Sequence, residues 1–104
     1  MNAQNQVQVQ ANQDKSRCVI GYEREYRVGE GSVYVYEIVI TDRTRFFVAT
    51  FYDGVDEYAW GVGVNETEAL TNAEELWDRY NAKDEESKRE NPFRQALAKG
   101  GGVA

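Results

Sequence analysis

Two consecutive runs of β-branched and aromatic side chains constrain the fold of this chain more than any other feature. Residues 33–40 read VYVYEIVI and residues 45–52 read RFFVATFY, and each run is apolar at both odd and even positions. Successive side chains of a strand point to opposite faces of its sheet, so these runs predict two central strands with large side chains on both faces. A short polar connection joins them and predicts an antiparallel pair.

Two weaker patterns of period two flank this pair and predict further strands. Residues 17–28 are predicted to form a half-buried strand, followed by a turn over residues 29–31. Its predicted apolar face carries Cys18, Ile20, Tyr22, Tyr26 and Val28. Residues 58–64 alternate large side chains with Ala59, Gly61 and Gly63, so one face of this short fourth strand is nearly bare. Another element can approach that face closely.

The main helix is predicted to begin after Asn65. Asn65 and Glu68 have the spacing of a capping box, in which the asparagine side chain accepts from an early helical N–H group. An apolar stripe then follows at helical spacing and predicts a helix packed on the sheet. The stripe consists of Ala69, Ala73, Leu76, Trp77 and Tyr80.

The two ends of the chain differ from its middle. Residues 1–15 are rich in Gln and Asn and predict a disordered tail, with an edge strand at residues 7–10 as the alternative. Residues 82–104 predict a charged linker, or a frayed extension of the helix, and then a short helical segment that begins at Asn91-Pro92. Residues 16–81 are therefore predicted to form a single α+β domain. Its antiparallel sheet has three or four strands and is followed by one long helix packed on one face, in the order β-β-β-(β)-α.

The composition excludes several kinds of chemistry. The chain has no histidine and a single cysteine, Cys18, so classical catalytic triads and thiolate zinc clusters are excluded. Cys18 is predicted to be a small buried hydrophobic residue. Asp53, Asp56 and Glu57 lack the ligand spacing of an EF-hand, and no nucleophile lies near them in sequence, so they predict a solvated hairpin tip. We predict a protein that is not an enzyme and binds no metal or cofactor.

The charge distribution bears on partners and location. The net charge of the chain is −6, and residues 16–81 carry six basic and thirteen acidic side chains, a net charge of −7. This acidity makes nucleic acid and anionic membranes unfavourable partners. No apolar run approaches the roughly 20 residues that span a bilayer, and the first residues lack the features of a signal peptide. We expect a soluble cytoplasmic protein.

The segment GVGVNETEA at residues 61–69, continued by Ala73, resembles the strand-to-helix passage of the double-stranded-RNA-binding domain. The resemblance covers about residues 32–81 and implies an α+β fold that binds nucleic acid. At the positions of that family's phosphate-contacting lysines, however, this chain has Glu66, Thr67 and Leu70. The string from Thr67 to Leu70 also resembles HicB-like antitoxins. A structural alternative is that the small residues allow close packing of strand on helix.

The central strands supply more apolar surface than one helix can cover. A short C-terminal helical segment, a second copy of the chain or a different protein could cover the remaining face. The aliphatic valines suit the helix side, so the outward binding face is predicted to carry Tyr34, Tyr36, Phe46 and Tyr52.

These expectations support a small non-catalytic interaction module that regulates or inhibits a macromolecular partner, either a different protein or a second copy in a homodimer. One alternative is nucleic-acid binding on a scaffold like that of the double-stranded-RNA-binding domain or of the antitoxins. Another is mimicry of nucleic acid by carboxylates along the helix. Those carboxylates belong to Glu66, Glu68, Glu74, Glu75 and Asp78.

Overall fold

The computed structural model describes residues 19–40 and 44–100, which form an antiparallel sheet with helices packed on it. The elements in chain order are β1 (Val19–Val28), β2 (Gly31–Val39), β3 (Arg45–Tyr52), β4 (Glu57–Gly63), α1 (Glu66–Tyr80), α2 (Glu85–Arg89) and α3 (Pro92–Ala98). The predicted α+β class and order of elements are confirmed. The predicted tail at residues 1–15, Cys18 and residues 41–43 of the second connection lie outside the described residues.

The sheet is a simple meander in which each strand pairs with the next, in the order β1-β2-β3-β4. A two-residue turn joins β1 to β2, and its first residue, Gly29, has a φ of +59°. This left-handed backbone conformation favours glycine, which has no Cβ to clash with the chain. The turn sets Val28 opposite Gly31 and Glu25 opposite Tyr34. The register of the first hairpin therefore follows from a local feature of the sequence.

The hydrophobic core lies between one face of the sheet and the helices. Val33 and Val35 of β2 and Ala49 of β3 are fully buried there, and Tyr26 and Val28 of β1 border them. Four further aromatic side chains, together with Leu97 of α3, are partly buried and pack against these residues. They are Phe47, Phe51, Trp60 and Trp77.

Two glycines of β4 allow α1 to lie directly on the sheet. A Cβ atom on Gly61 would lie 2.4 Å from the carbonyl oxygen of Ala69 and 2.4 Å from the backbone nitrogen of Ala73. A Cβ atom on Gly63 would lie 2.6 Å from the backbone nitrogen of Ala69. The predicted close approach is therefore confirmed, and the approaching element is α1. Close packing of α1 on β4 is therefore sufficient to explain why residues 61 and 63 are glycines.

A β-bulge in β4 corrects the predicted arrangement of its side chains. Ala49 pairs with Gly61 while Thr50 pairs with Ala59, so Trp60 has no partner in the register. Trp60 consequently faces the helices together with Gly61, and its ring centroid lies 4.9 Å from that of Trp77. The expectation that Trp60 shares a face with Val62 was wrong, because an extra residue interrupts the strict alternation of a strand.

A second irregularity corrects the predicted face of Ile20. The register of β1 with β2 shifts between Ile20 and Tyr22, and Ile20 pairs with Ile38. Ile20 is 60% exposed and lies on the sheet face opposite the one that carries Tyr26 and Val28. The expectation that all three side chains share one face was wrong. A bulge inserts one extra residue, so the side chains before it point to the opposite face from the one that strict alternation predicts.

Helix α1 begins as predicted but is rotated about its axis. The Asn65 side chain accepts from the N–H of Glu68 at 2.8 Å, and the Glu68 carboxylate accepts from the N–H of Val64 at 2.7 Å. The buried positions are Ala69, Leu70 and Ala73, whereas Leu76 is 37% and Tyr80 78% exposed. The prediction that Leu76 and Tyr80 lie in the buried stripe was wrong. The helix lies over the edge strand β4, so its flank toward β3 is covered and its outer flank is not.

Because of this rotation, we expect alanine substitutions of two leucines in α1 to lower the free energy of unfolding by different amounts. We expect Leu70→Ala to lower the free energy of unfolding by about 2–5 kcal/mol, because Leu70 is fully buried and its loss leaves a cavity. Leu76→Ala removes the same atoms from an exposed flank and should cost less than about 1 kcal/mol. Urea denaturation of both variants measures the difference. Equal losses would contradict the observed rotation.

The segment after α1 folds back onto the same side of the sheet. Phe93 and Ala96 of α3 are fully buried in the core, so the expected domain boundary after Asn81 is not a boundary of packing. The side-chain amide of Asn91 donates to the carbonyl oxygen of Glu74 at 3.0 Å and to the carboxylate of Asp78 at 3.1 Å. These bonds hold the start of α3 against α1.

Candidate functional site

The sheet face opposite the helices, which we call the open face, is the candidate site. It is formed by the even-numbered side chains of β2 and β3, with flanking residues of the two outer strands. Its residues are Ser32, Tyr34, Tyr36, Ile38, Phe46, Val48, Thr50 and Tyr52, flanked by Ile20, Glu23, Glu25 and Arg27 of β1 and by Glu57, Ala59 and Val62 of β4. Within residues 19–40 and 44–100, the helices pack only on the other face.

The structure brings all four predicted binding residues together on the open face. Tyr34 and Tyr36 lie at its centre with their ring centroids 5.9 Å apart and their planes 16° from parallel. Tyr52 is 37% exposed at the end of β3, and Phe46 is half-buried at the other end. The face is therefore an aromatic surface that the described helices leave accessible.

Two carboxylates hold the central tyrosines from opposite sides. The Tyr34 hydroxyl lies 3.4 Å from the carboxylate of Glu25 on β1, and the Tyr36 hydroxyl donates to Glu57 on β4 at 2.7 Å. Tyr36 reaches across β3 to make this bond. The Tyr36 ring is therefore fixed at its hydroxyl end, which reduces the rotamer freedom that binding would otherwise restrict.

The same carboxylates satisfy the buried hydroxyls of the open face. Ser32 donates to Glu25 at 2.6 Å, and Thr50 donates to Glu57 at 2.6 Å. Ser32 and Thr50 are 5% and 7% exposed, although no described helix covers them. The surrounding side chains therefore form a continuous, hydrogen-bonded surface instead of isolated residues on a sheet.

The tyrosine hydroxyls remain protonated donors at neutral pH. Burial, together with the hydrogen bond to Glu57, raises the pKa of Tyr36. Burial and the nearby charge of Glu25 raise the pKa of Tyr34. Because a tyrosinate beside a carboxylate would be repelled by it, both environments favour the neutral form. The negative charge at the centre of this face consequently belongs to the two glutamates.

The carboxylates proposed for an acidic helix surface are largely engaged within the protein. Glu66 accepts a hydrogen bond from the Tyr26 hydroxyl, and Glu68 caps the helix. Arg94 of α3 pairs with both Glu74 and Asp78, with nitrogen–oxygen distances of 2.7 Å in each case. The fifth residue, Glu75, is exposed on α1. This set is therefore spread over several structural roles and does not form one accessible acidic surface.

Two of the three acidic residues predicted to form the tip of the β3–β4 turn, Asp53 and Glu57, have different partners. Asp53 accepts from the backbone N–H groups of Val55 and Asp56 at 2.8 and 2.9 Å, and these bonds lower its pKa. Glu57 lies on the open face with Tyr36. Among residues 19–40 and 44–100, no group of three or more metal-ligating side chains is placed to hold an ion.

A groove of about 450 Å³ lies at the end of the sheet, between the β1–β2 turn and α3. Phe51, Trp77 and Pro92 line it, and the Trp77 ring nitrogen donates to the carbonyl oxygen of Ser87 at 3.1 Å. These side chains already pack against α2 and α3, so helix packing is sufficient to explain their presence in the groove. We therefore place the candidate site on the open face.

Glu25 and Glu57 were not among the binding residues predicted from the sequence. A two-residue turn at residues 29–30 would have placed Glu25 opposite Tyr34, so the signal for Glu25 was present. The sequence holds no comparable signal for the contact between Glu57 and Tyr36, because Glu57 pairs with Tyr52 of β3 while Tyr36 lies on β2, which does not neighbour β4 in the sheet. Distant pairs of this kind require the three-dimensional structure.

Comparisons with known proteins found no match: no family model, no curated protein and no solved structure resembles the chain significantly. Among the described residues, no helix is long and apolar enough to cross a membrane.

Proposed function

We propose that this protein is a non-catalytic interaction module that binds a protein partner through the open face and thereby regulates or inhibits that partner. The observation that carries the proposal is the placement of Tyr34, Tyr36, Phe46 and Tyr52 together on a sheet face that no described helix covers. Large aromatic side chains with polar ends are enriched at protein interfaces. The lone Cys18 suits a reducing compartment, so the cytoplasm is the proposed location.

The arrangement of the open face supports binding more than catalysis. Its hydroxyls are already engaged as donors, those of Ser32, Tyr36 and Thr50 to Glu25 or Glu57 and that of Tyr52 to the carbonyl oxygen of Gly54. A general base or nucleophile must be directed at a substrate within hydrogen-bonding distance, ideally in a pocket that excludes water. The open face instead offers broad apolar contact with fixed side chains, which is the form of a docking surface.

The nucleic-acid alternatives have less support from the side chains. The resemblance to the double-stranded-RNA-binding domain would require positive charge at the start of α1, where Glu66 instead bonds Tyr26. Mimicry of nucleic acid would require accessible carboxylates along α1, where Glu74 and Asp78 instead pair with Arg94. A protein partner that binds the open face requires neither positive charge at the start of α1 nor accessible carboxylates along it.

Substitution of the central tyrosines tests the proposal. We expect Tyr34→Ser/Tyr36→Ser to weaken capture of the partner from the native host by at least about tenfold, because aromatic anchors near the centre of an interface often contribute more than 1–2 kcal/mol each. Cooperative unfolding should persist, since both side chains lie outside the helix-side core. Pull-down with the full chain and urea denaturation measure the two effects.

A matched control removes two tyrosines from elsewhere on the surface. Tyr58 and Tyr80 are 62% and 78% exposed and lie outside the open face, so Tyr58→Ser/Tyr80→Ser should leave partner capture unchanged. If the Tyr34/Tyr36 variant instead unfolds several kcal/mol more easily while partner capture and oligomeric mass stay unchanged, these tyrosines are structural and the proposal is wrong.

A further inference from the structure

We propose that the partner of the open face is a basic protein segment whose arginine side chains stack on Tyr34 and Tyr36 and pair with Glu25 and Glu57. This inference rests on the proposed function and adds the chemistry of the partner. It is carried by the combination of aromatic rings and carboxylates on one accessible face.

The charge of the open face is the first argument. Its described residues include three glutamates, at positions 23, 25 and 57, and one basic residue, Arg27. The whole chain also carries a net charge of −6, so its field attracts a basic partner and repels an acidic one. Charge complementarity therefore favours a segment rich in arginine or lysine.

The geometry of the two tyrosines favours arginine over lysine. A guanidinium group is planar, stacks on aromatic rings and binds a carboxylate through two parallel hydrogen bonds, whereas an ammonium group acts as a compact point charge. Each central tyrosine on the open face has a carboxylate next to its hydroxyl end. One arginine side chain can therefore lie over a ring while its guanidinium reaches the neighbouring glutamate.

The same charges argue against a second copy of this chain as the occupant. In a twofold symmetric dimer the same patch of both copies meets itself. Two open faces that meet in this way both carry Glu23, Glu25 and Glu57, so an acidic surface would lie against an equally acidic one. Like charges brought together at an interface are unfavourable, and among the described residues of the face Arg27 is the one basic side chain that could compensate them.

Titration of the full chain with a synthetic peptide of alternating arginine and serine tests the inference. We expect binding that perturbs the backbone amide resonances of β2 and β3 at the open face and weakens with salt. Glu25→Gln/Glu57→Gln retains the acceptor oxygens for the hydroxyls but removes two charges, so the dissociation constant should rise by about tenfold. The lysine-serine peptide should bind several-fold more weakly than the arginine peptide.

Charge-matched variants and peptides serve as controls. Glu75→Gln/Glu86→Gln removes the same charge from the exposed surfaces of α1 and α2 and should change the dissociation constant by less than about twofold. A glutamate-serine peptide should not bind. If Glu25→Gln/Glu57→Gln and Glu75→Gln/Glu86→Gln weaken peptide binding equally, the peptide is attracted by net charge alone and the inference is wrong. Amide resonance changes confined to the helices would also overturn it.

The outcomes separate this inference from the proposed function. If the arginine peptide fails to bind while Tyr34→Ser/Tyr36→Ser still abolishes capture of the native partner, the open face is an interface but the basic partner is wrong. If the parent protein self-associates and Tyr34→Ser/Tyr36→Ser does not, the open face binds a second copy of the chain. If duplex RNA binds the open face, its partner is nucleic acid. Either result overturns the inference. If the tyrosine substitutions leave partner capture and oligomeric mass unchanged, both proposals fail.

Discussion

We expect Phe93→Ala to lower the free energy of unfolding by about 3–5 kcal/mol, a large part of the total stability of a small domain. Phe93 is fully buried, and its ring lies 6.0 Å from that of Trp77, 6.4 Å from that of Trp60 and 6.5 Å from that of Phe51. Its removal leaves a cavity among three aromatic rings that the backbone cannot readily close. Urea denaturation of the full chain, followed by far-ultraviolet circular dichroism, measures the loss.

Tyr80→Ala is the appropriate control for this substitution. Tyr80 also contacts the ring of Trp60, with centroids 5.5 Å apart, but its side chain is 78% exposed. Its replacement should therefore cost less than about 1 kcal/mol. A loss for Phe93→Ala no larger than for Tyr80→Ala would show that α3 does not belong to the core of the domain.

The second large effect is expected for Gly61→Ala, which should cost about 3 kcal/mol although it adds a single methyl group. The new Cβ atom would lie 2.4 Å from backbone atoms of both Ala69 and Ala73, and backbone cannot move aside as a flexible side chain can. The helix must therefore shift away from β4, which loosens its packing along the whole contact. Chemical denaturation and the intensity of tryptophan fluorescence report the loss and the shift.

The neighbouring residue provides a control on the same strand. Val62 points away from α1 and is 53% exposed. Val62→Ala should therefore lower the free energy of unfolding by less than about 1 kcal/mol, because alanine has a lower preference for strands than valine. If Gly61→Ala retains the stability of the parent protein, the contact between α1 and β4 is looser than the structure indicates.

The strands and the start of the helix could be predicted because their signals are local. Residues 45–52 form β3 with the predicted bounds, and Asn65 caps α1 through the predicted bond to the N–H of Glu68. The predicted orientations of the central strands agree with the structure as well. Val33 and Val35 face the helices, and Tyr34 and Tyr36 face away from them.

The errors arose where one element adjusts to another. Trp60 turns toward the helices because a bulge breaks the alternation of β4, and no local pattern of residues 58–64 shows this bulge. Leu70 is buried in place of Leu76 because α1 lies over the edge of the sheet. A helical wheel gives the spacing of apolar residues but leaves open which flank the rest of the protein covers.

The candidate site shows the same division. The sequence by itself determined that the central strands carry apolar side chains on both faces, and that small residues at Gly61 and Gly63 admit a close neighbour. Only the tertiary structure decided that α3 joins α1 on the same side, so that no described helix covers Tyr34 and Tyr36, which meet Glu25 and Glu57. The physical reason is that strand and helix preferences depend on residues near in sequence. Which face becomes the core depends instead on the packing and hydrogen bonds of segments far apart in the chain, such as those joining Asn91 to Glu74 and Asp78.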